Sequence, residues 1–178
     1  MRTLISRIAF GCAALLAAAA VQAQQPMPMQ DNPLDKIPDK MPFDIPYGES
    51  ISLDRALALI NTAVGEAKKR DWRMNVAVVD PGGHLIAFQR MDGAQLASVK
   101  IAEHKARTAA LYRRETKIFE NAVQVSHFEY IMTLDDVIAS RGGFPLVQGG
   151  KLVGAIGCSG GTGSQDEATC KAAVEAFK

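Results

Sequence analysis

Apolar positions recur along residues 52–67 with helical spacing: Leu53, Ala56, Leu57, Ile60, Ala63, Val64 and Ala67 share one side. Ser52 stands where an N-cap belongs, and Lys68-Lys69-Arg70 closes the pattern. An amphipathic helix covering a sheet is expected there. The period then changes. Asn75 to Val79 reads as a buried strand, Asp80-Pro81-Gly82-Gly83 as its turn, and His84 to Arg90 as the returning strand. From Leu96 to Glu115 the helical period resumes with a stripe of small residues, Val99, Ala102, Ala106, Ala109 and Ala110, which lets a helix lie close to a neighbour. A second stripe on the same helix is polar and gathers His104, Lys105, Thr108 and Tyr112. Thr116 to Val125 reads as a short helix, and Leu134-Asp135-Asp136 as a further helical turn.

A second hairpin follows. Phe144 to Val147 and Leu152 to Ile156 are strand-length apolar runs, and Gly149-Gly150 between them supplies the positive φ angles of a tight turn. Pro145, lacking an N–H, places the first run at an edge or bulge, so the second is the more central strand. Gly154 and Gly157 leave room for another backbone or a ligand to come close. Beyond Ile156 a glycine-rich loop leads into a final helix with Cys170, Ala173, Val174 and Phe177 on one face. Strand, glycine loop and helix start can together hold an anion, or the loop is simply a tight connection with Asp166 complementing the helix dipole.

Outside these elements the chain changes character. Arg2 and Arg7 precede or open an apolar run to Val21, and Val21-Gln22-Ala23 is a small-x-small cleavage site, so residues 1–23 read as a secretory signal peptide. The expected destination is periplasmic or secreted, without membrane insertion. Residues 24–47 hold six of the eight prolines, spaced so that neither a helix nor a central strand forms, and an extended N-terminal arm is expected. Residues 48–178 then suffice for one domain with a single core.

Charge narrows the partners. The whole chain carries a formal +1, but the leader contributes two arginines and no acid, which leaves 18 basic against 19 acidic side chains. No basic excess points to nucleic acid and no polybasic run to a membrane surface, so a small molecule or another protein chain is the expected partner.

Chemistry-bearing residues are few. His104 offers an imidazole able to bind iron, Lys105 an ammonium able to meet a carboxylate, and Thr108 a hydroxyl one turn on. Arg90 and Asp92, just before this helix, form an ion pair or bound the same pocket. His84 starts a strand beside glycines and reads as exposed more readily than as a ligand; His127 sits among aromatic residues. Cys158 ends the central strand and Cys170 lies on the core face of the final helix. They are either two small buried hydrophobes or, in an exported protein, a disulfide closing a loop worth roughly 3 kcal/mol. There is no Ser-His-Asp order, no metal cluster of known spacing and no dinucleotide fingerprint.

The order of these pieces, above all VVDPGGHLIAFQRMDGA, KARTAALYRRETK, GGFPLV with GGKLVGAIG, and the closing SGGTGSQDE, resembles the GlcG/HbpS-like haem-binding family, which includes the C-terminal domain of PduO-type proteins. The resemblance runs from Ile51 to the end, and KARTAALYRRETK is most like the GlcG branch. It implies a profilin-like, three-layer α/β (α+β) domain with an antiparallel sheet of roughly five strands flanked by helices, assembled into a homo-oligomer. It also implies haem as cofactor, with axial groups that differ between members, histidine in some and threonine in others.

Carried onto this chain, the resemblance makes His104 and Thr108 the candidate iron-facing residues, with His104 the metal ligand, and Lys105 or Arg90 the partners of propionates. The leading expectation is therefore an exported haem (tetrapyrrole)-binding protein in haem or iron handling or haem degradation. An enzyme or binder acting on a small hydroxy acid such as glycolate, using the glycine loop as a carboxylate site, is the alternative. A third reading is an oligomeric interaction module that exchanges its proline-rich arm.

Overall fold

The computed structural model describes residues 32–41 and 43–177. The expected signal peptide, residues 1–23, lies outside the described residues. The chain divides into two compact units, residues 1–39 and 40–178. In the first, the described residues form a 3-10 turn, Pro33–Asp35, in which Asn32 Oδ1 accepts the Leu34 N–H at 3.0 Å. The proline spacing predicts no helix in this arm, and this one turn is the exception. Pro33 suits its first position, where a backbone N–H is not needed.

In the second unit the elements follow the periodicity. Helix α1 (Leu53–Lys69) starts from Ser52, whose hydroxyl accepts the Arg55 N–H. Its inward face is Ala56, Leu59, Ile60, Ala63, Val64 and Ala67; Leu53 and Leu57, expected on that face, are exposed. Strands β1 (Asn75–Val79) and β2 (Leu85–Arg90) form the first hairpin, and β3 (Gly143–Gln148) and β4 (Lys151–Ser159) the second. Gly149 and Gly150, at φ 56° and 75°, make the turn between β3 and β4. Helices α2 (Ser98–Leu111) and α3 (Thr116–Gln124) lie between the hairpins, and α4 (Gly163–Ala176) ends the fold. The helical turn expected at residues 134–136 is not there. A 3-10 helix occupies Glu129–Thr133 instead, and the chain leaves it through Asp136 at φ 58°.

The sheet is antiparallel, with order β2-β1-β4-β3, so β4 is central and Pro145 sits on an edge strand. Among the described residues it has four strands and not five. Beyond the end of β1, residues 46–51 take the place beside β4. There Leu152 N–H donates to Pro46 O, Gly48 N–H to Leu152 O and Ile51 N–H to Val153 O, with one isolated bridge at Tyr47. Arg113 and Arg114 hold this segment from the far end of α2. Arg113 Nη1 donates to Ile45 O at 2.9 Å, and the Arg114 guanidinium lies over the Phe43 ring.

Three layers result. On one face Val76, Val78, Ile156 and Cys158 pack with Ile60, Val64, Cys170 and Ala173 from α1 and α4. On the other, Ala77, Val79 and Ala155 meet the alanines of α2, Ala102, Ala106, Ala109 and Ala110, with Phe88 packed against the cluster. Cys158 and Cys170 are disulfide-bonded, Cα to Cα 5.6 Å, which couples β4 to α4. Among the described residues no helix is long and apolar enough to cross a membrane.

The α2 contact is close because glycines face the alanine stripe. A Cβ on Gly157 would lie 2.2 Å from Ala102 O and 2.5 Å from Ala106 N, and one on Gly143 would lie 2.4 Å from Lys105 O. Helix backbone therefore rests directly on strand backbone. Overpacking such a contact costs about 1–3 kcal/mol or more. Gly157→Ala is expected to cost at least about 1 kcal/mol of unfolding free energy, seen as a lower urea midpoint at unchanged slope, whereas Gly65→Ala, which meets nothing within 4 Å, leaves the midpoint unchanged or higher.

Candidate functional site

Once α2 lies on the sheet, its remaining side chains go in different directions, and the polar stripe of the sequence divides. Lys105 turns inward. Its side chain is 1% exposed, and its ammonium donates to Asp166 Oδ2 at 2.7 Å and to Cys158 O at 3.3 Å. Asp166 Oδ1 in turn accepts the N–H groups of Gly160 and Gly161 at 3.0 and 3.1 Å. The glycine loop therefore does bind a carboxylate, but it is the chain's own. Lys105, expected to meet a propionate, is committed to Asp166, and the Gly160 and Gly161 amides are occupied by the same side chain.

Thr108 is also removed from the candidates. It is fully buried; its hydroxyl donates to Asp136 O at 2.7 Å and accepts the Ile138 N–H at 3.1 Å. Both bonds pin residues 136–138 to the helix, and the hydroxyl cannot reach a ligand without breaking them. Tyr112 serves the same loop, donating to Asp135 O at 2.6 Å with its ring edge-on to Phe119. Burial, with the nearby Asp135 and Asp136 carboxylates, raises its phenol above the usual tyrosine range.

His104 remains. It is half-buried, makes no hydrogen bond among the described residues, and opens into a groove of about 520 Å³ between α2 and the β1–β2 turn. That volume falls within the range of small-molecule sites. Val79 and Leu85 supply apolar wall, the ion pairs of Lys100 with Glu103 (2.9 Å) and Arg107 with Asp136 form the rim, and His84 stands on the turn side. Arg107 builds the groove. Its guanidinium holds the Asp136 carboxylate with bonds of 2.8 and 3.0 Å and donates to Gly83 O at 3.3 Å, tying the loop and the turn to the helix. The Arg107 hydrogen bond keeps the Asp136 carboxyl below its ordinary value, with a smaller contribution from His104, and Asp136 raises Arg107 in return.

Arg90 is not part of this groove. It lies at the opposite end of β2 and lines a second cleft with Asp92, Lys68, Trp72 and Arg73. The expected pairing of Arg90 with Asp92 goes no further than a shared cleft; no ion pair joins them among the described residues. His127 is exposed at φ 56° and away from either cleft. Among the described residues no group of three or more His, Cys, Asp or Glu side chains is placed to hold a bare metal ion.

Sequence reasoning missed Lys100, Arg107 and Asp136 and gave His84 little weight. Lys100 and Arg107 stand four before and three after His104, a spacing that puts them on its face. They read as a solvated helix surface because nothing in the sequence brings residues 83–85 and 136 opposite them.

Residues 51–175 match the family described as haem-degrading protein HbpS-like. Protein GlcG of Escherichia coli (strain K12) is 42% identical over 109 residues, which cover 61% of this chain and 81% of GlcG. Two solved structures are similar. HbpS superposes with a TM-score of 0.69 at 26% identity, over 76% of this chain and 95% of that one. A PduOC:heme complex does so with 0.66 at 28% identity, over 72% and 96%.

Two outcomes follow from the geometry. Removing one partner of a buried ion pair leaves the other charge uncompensated, at a cost of about 3–5 kcal/mol. Lys105→Met is expected to fall in that range by urea unfolding, and the double change with Asp166→Leu to recover much of it. The Arg107–Asp136 pair is milder, because its side chains are 38% and 41% exposed and solvent screens them. Its sign is that of a depressed carboxyl: the stabilisation is complete above the unfolded value and lost as pH falls through the folded one. Carboxyl NMR should place the Asp136 midpoint below 3.8, and Arg107→Gln should return it towards that value.

Proposed function

We propose that this chain, which belongs to the HbpS-like family, binds haem in the groove between α2 and the β1–β2 turn, with His104 presented to the iron. The observation that carries this reading is His104 itself: a half-buried imidazole with no hydrogen bond among the described residues, at the wall of a groove with an apolar side and a rim of two ion pairs. The donor chemistry suits haem better than a bare ion. Haem would bring most of its iron's donors with it, so His104 would suffice as a protein ligand, and among the described residues no group of three ligating side chains is placed for a bare ion.

Each neighbour then has a task. Val79 and Leu85 contact the macrocycle and exclude water; Lys100, exposed at the rim beside Glu103, is the cation available to a carboxylate of the ligand, while Arg107 holds the turn and Asp136 in place. Thr108 fixes the wall from behind through Asp136 and Ile138. Haem, when bound, supplies the redox and ligand-binding chemistry of its iron, and the protein sets orientation and access. The similar PduOC structure, a haem complex, supports the choice of ligand.

We assign the protein a role in haem or iron handling outside the cytoplasm. The apolar leader in residues 1–23 supports export, as does a disulfide between two fully buried cysteines, because such bonds persist in oxidising compartments.

Titrating haemin into residues 24–178 tests the reading. Saturable binding at a fixed ratio with a shifted Soret band is expected. His104→Ala should weaken it by about 10- to 100-fold, the scale seen when even an outer partner of a metal ligand is lost. Thr108→Val, judged at a temperature where it is folded, should leave the band in place. A featureless, non-saturating response from the unaltered protein would overturn the proposal.

A further inference from the structure

The groove holds a second histidine, and its ring is the better oriented of the two. His84 follows the turn Asp80-Pro81-Gly82-Gly83, and its Nδ1 lies 3.3 Å from both Asp80 carboxylate oxygens. Asp80 is itself held in place: Oδ1 accepts the His84 backbone N–H at 2.9 Å, and the Asp80 N–H donates to His84 O at 2.9 Å. The turn is fixed to α2, since Gly83 O accepts from Arg107 Nη1. A Cβ on Gly83 would lie 2.9 Å from Arg107 Cγ, so turn and helix are in contact at this point.

Chemistry settles the ring's polarity. An ionised carboxylate only accepts hydrogen bonds, so the proton shared with Asp80 belongs to Nδ1. In the neutral ring that leaves Nε2 with its lone pair, and the ring is held at one nitrogen only. A carboxylate on the far nitrogen is the arrangement that orients metal-ligating imidazoles and raises their basicity. The side chain is 78% exposed and lines the groove, and among the described residues Nε2 has no partner, so it is open to a ligand while Nδ1 stays on Asp80.

We propose that His84, oriented by Asp80, is a second iron-directed imidazole of the groove, so that haem held there is bound from the turn side and from the helix side. This rests on the haem reading of the same groove. In that arrangement His84 and His104 would both hold the haem and supply imidazole donors to its iron. Asp80 is a positioning residue in this scheme: it touches His84 and not the ligand.

The test uses the mature protein with haemin and two variants. The unaltered complex is expected to show a six-coordinate, low-spin spectrum. His84→Ala should bind at least ten-fold more weakly and become high-spin, and added free imidazole should restore the low-spin bands. Asp80→Asn keeps an oxygen for the His84 N–H and so preserves the turn, yet should shift the spectrum part of the way. In the haem-free protein, ¹⁵N NMR of labelled histidine should find the His84 proton on Nδ1. An Asp–His pair that merely braced the turn would leave spin state and affinity untouched in both variants, and that result overturns the inference while the haem reading stands. A high-spin spectrum from the unaltered complex, or an Nε2-protonated His84, also overturns it. Failure of the unaltered protein to bind haemin removes both.

Discussion

The buried pair of Lys105 and Asp166 is the interaction from which the functional face follows. Moving an ammonium and a carboxylate out of water costs several kcal/mol per ion, and attraction at 2.7 Å offsets this only with further hydrogen bonds. Here Cys158 O and the Gly160 and Gly161 amides provide them. The pair joins the middle of α2 to the first turn of α4, and the disulfide joins β4 to the same helix. With Gly143 and Gly157 letting the helix backbone touch the sheet, both the height and the rotation of α2 are set. Successive helix residues point about 100° apart, so turning Lys105 inward turns His104 to the flank that opens on the β1–β2 turn.

The hairpins, the capped first helix and the final helix were legible because each rests on local rules: turn glycines, an N-cap serine and period. The facing of small residues was legible too. Gly157 was read as a place of close approach and the alanines of α2 as a close-packing stripe, and the two prove to be partners. What periodicity could not supply was the destination of a polar side chain. His104, Lys105 and Thr108 share a stripe in sequence, yet Lys105 meets a carboxylate 61 residues away and Thr108 a loop 28 residues away. Only His104 is left to a ligand. The same limit hid Arg107, whose partners are Gly83 and Asp136, and it moved the inward face of α1 from Leu57 to Leu59.

Family membership and the groove carry different weight. The similar structures share 26–28% of residues with this chain, enough to speak for the fold, while a fold by itself does not fix a ligand. What points to a ligand is what this chain places at the groove: imidazoles from the turn and the helix, an apolar wall, and a guanidinium that binds the turn to the helix. The glycine-rich loop, the most conspicuous motif in the sequence, is internal scaffolding. Its amides stabilise Asp166, and through Lys105 that carboxylate positions the helix that bears His104.

The most direct measurement is a backbone NMR map of where a tetrapyrrole sits, using the diamagnetic gallium protoporphyrin in place of haemin so that nearby signals survive. Amide shifts concentrated at Val79, Gly83 to Leu85 and Lys100 to Arg107, with the amides of Gly160 and Gly161 unmoved, are the predicted result. Shifts centred on the cleft of Trp72, Arg90 and Asp92, or on the glycine loop, would contradict the account.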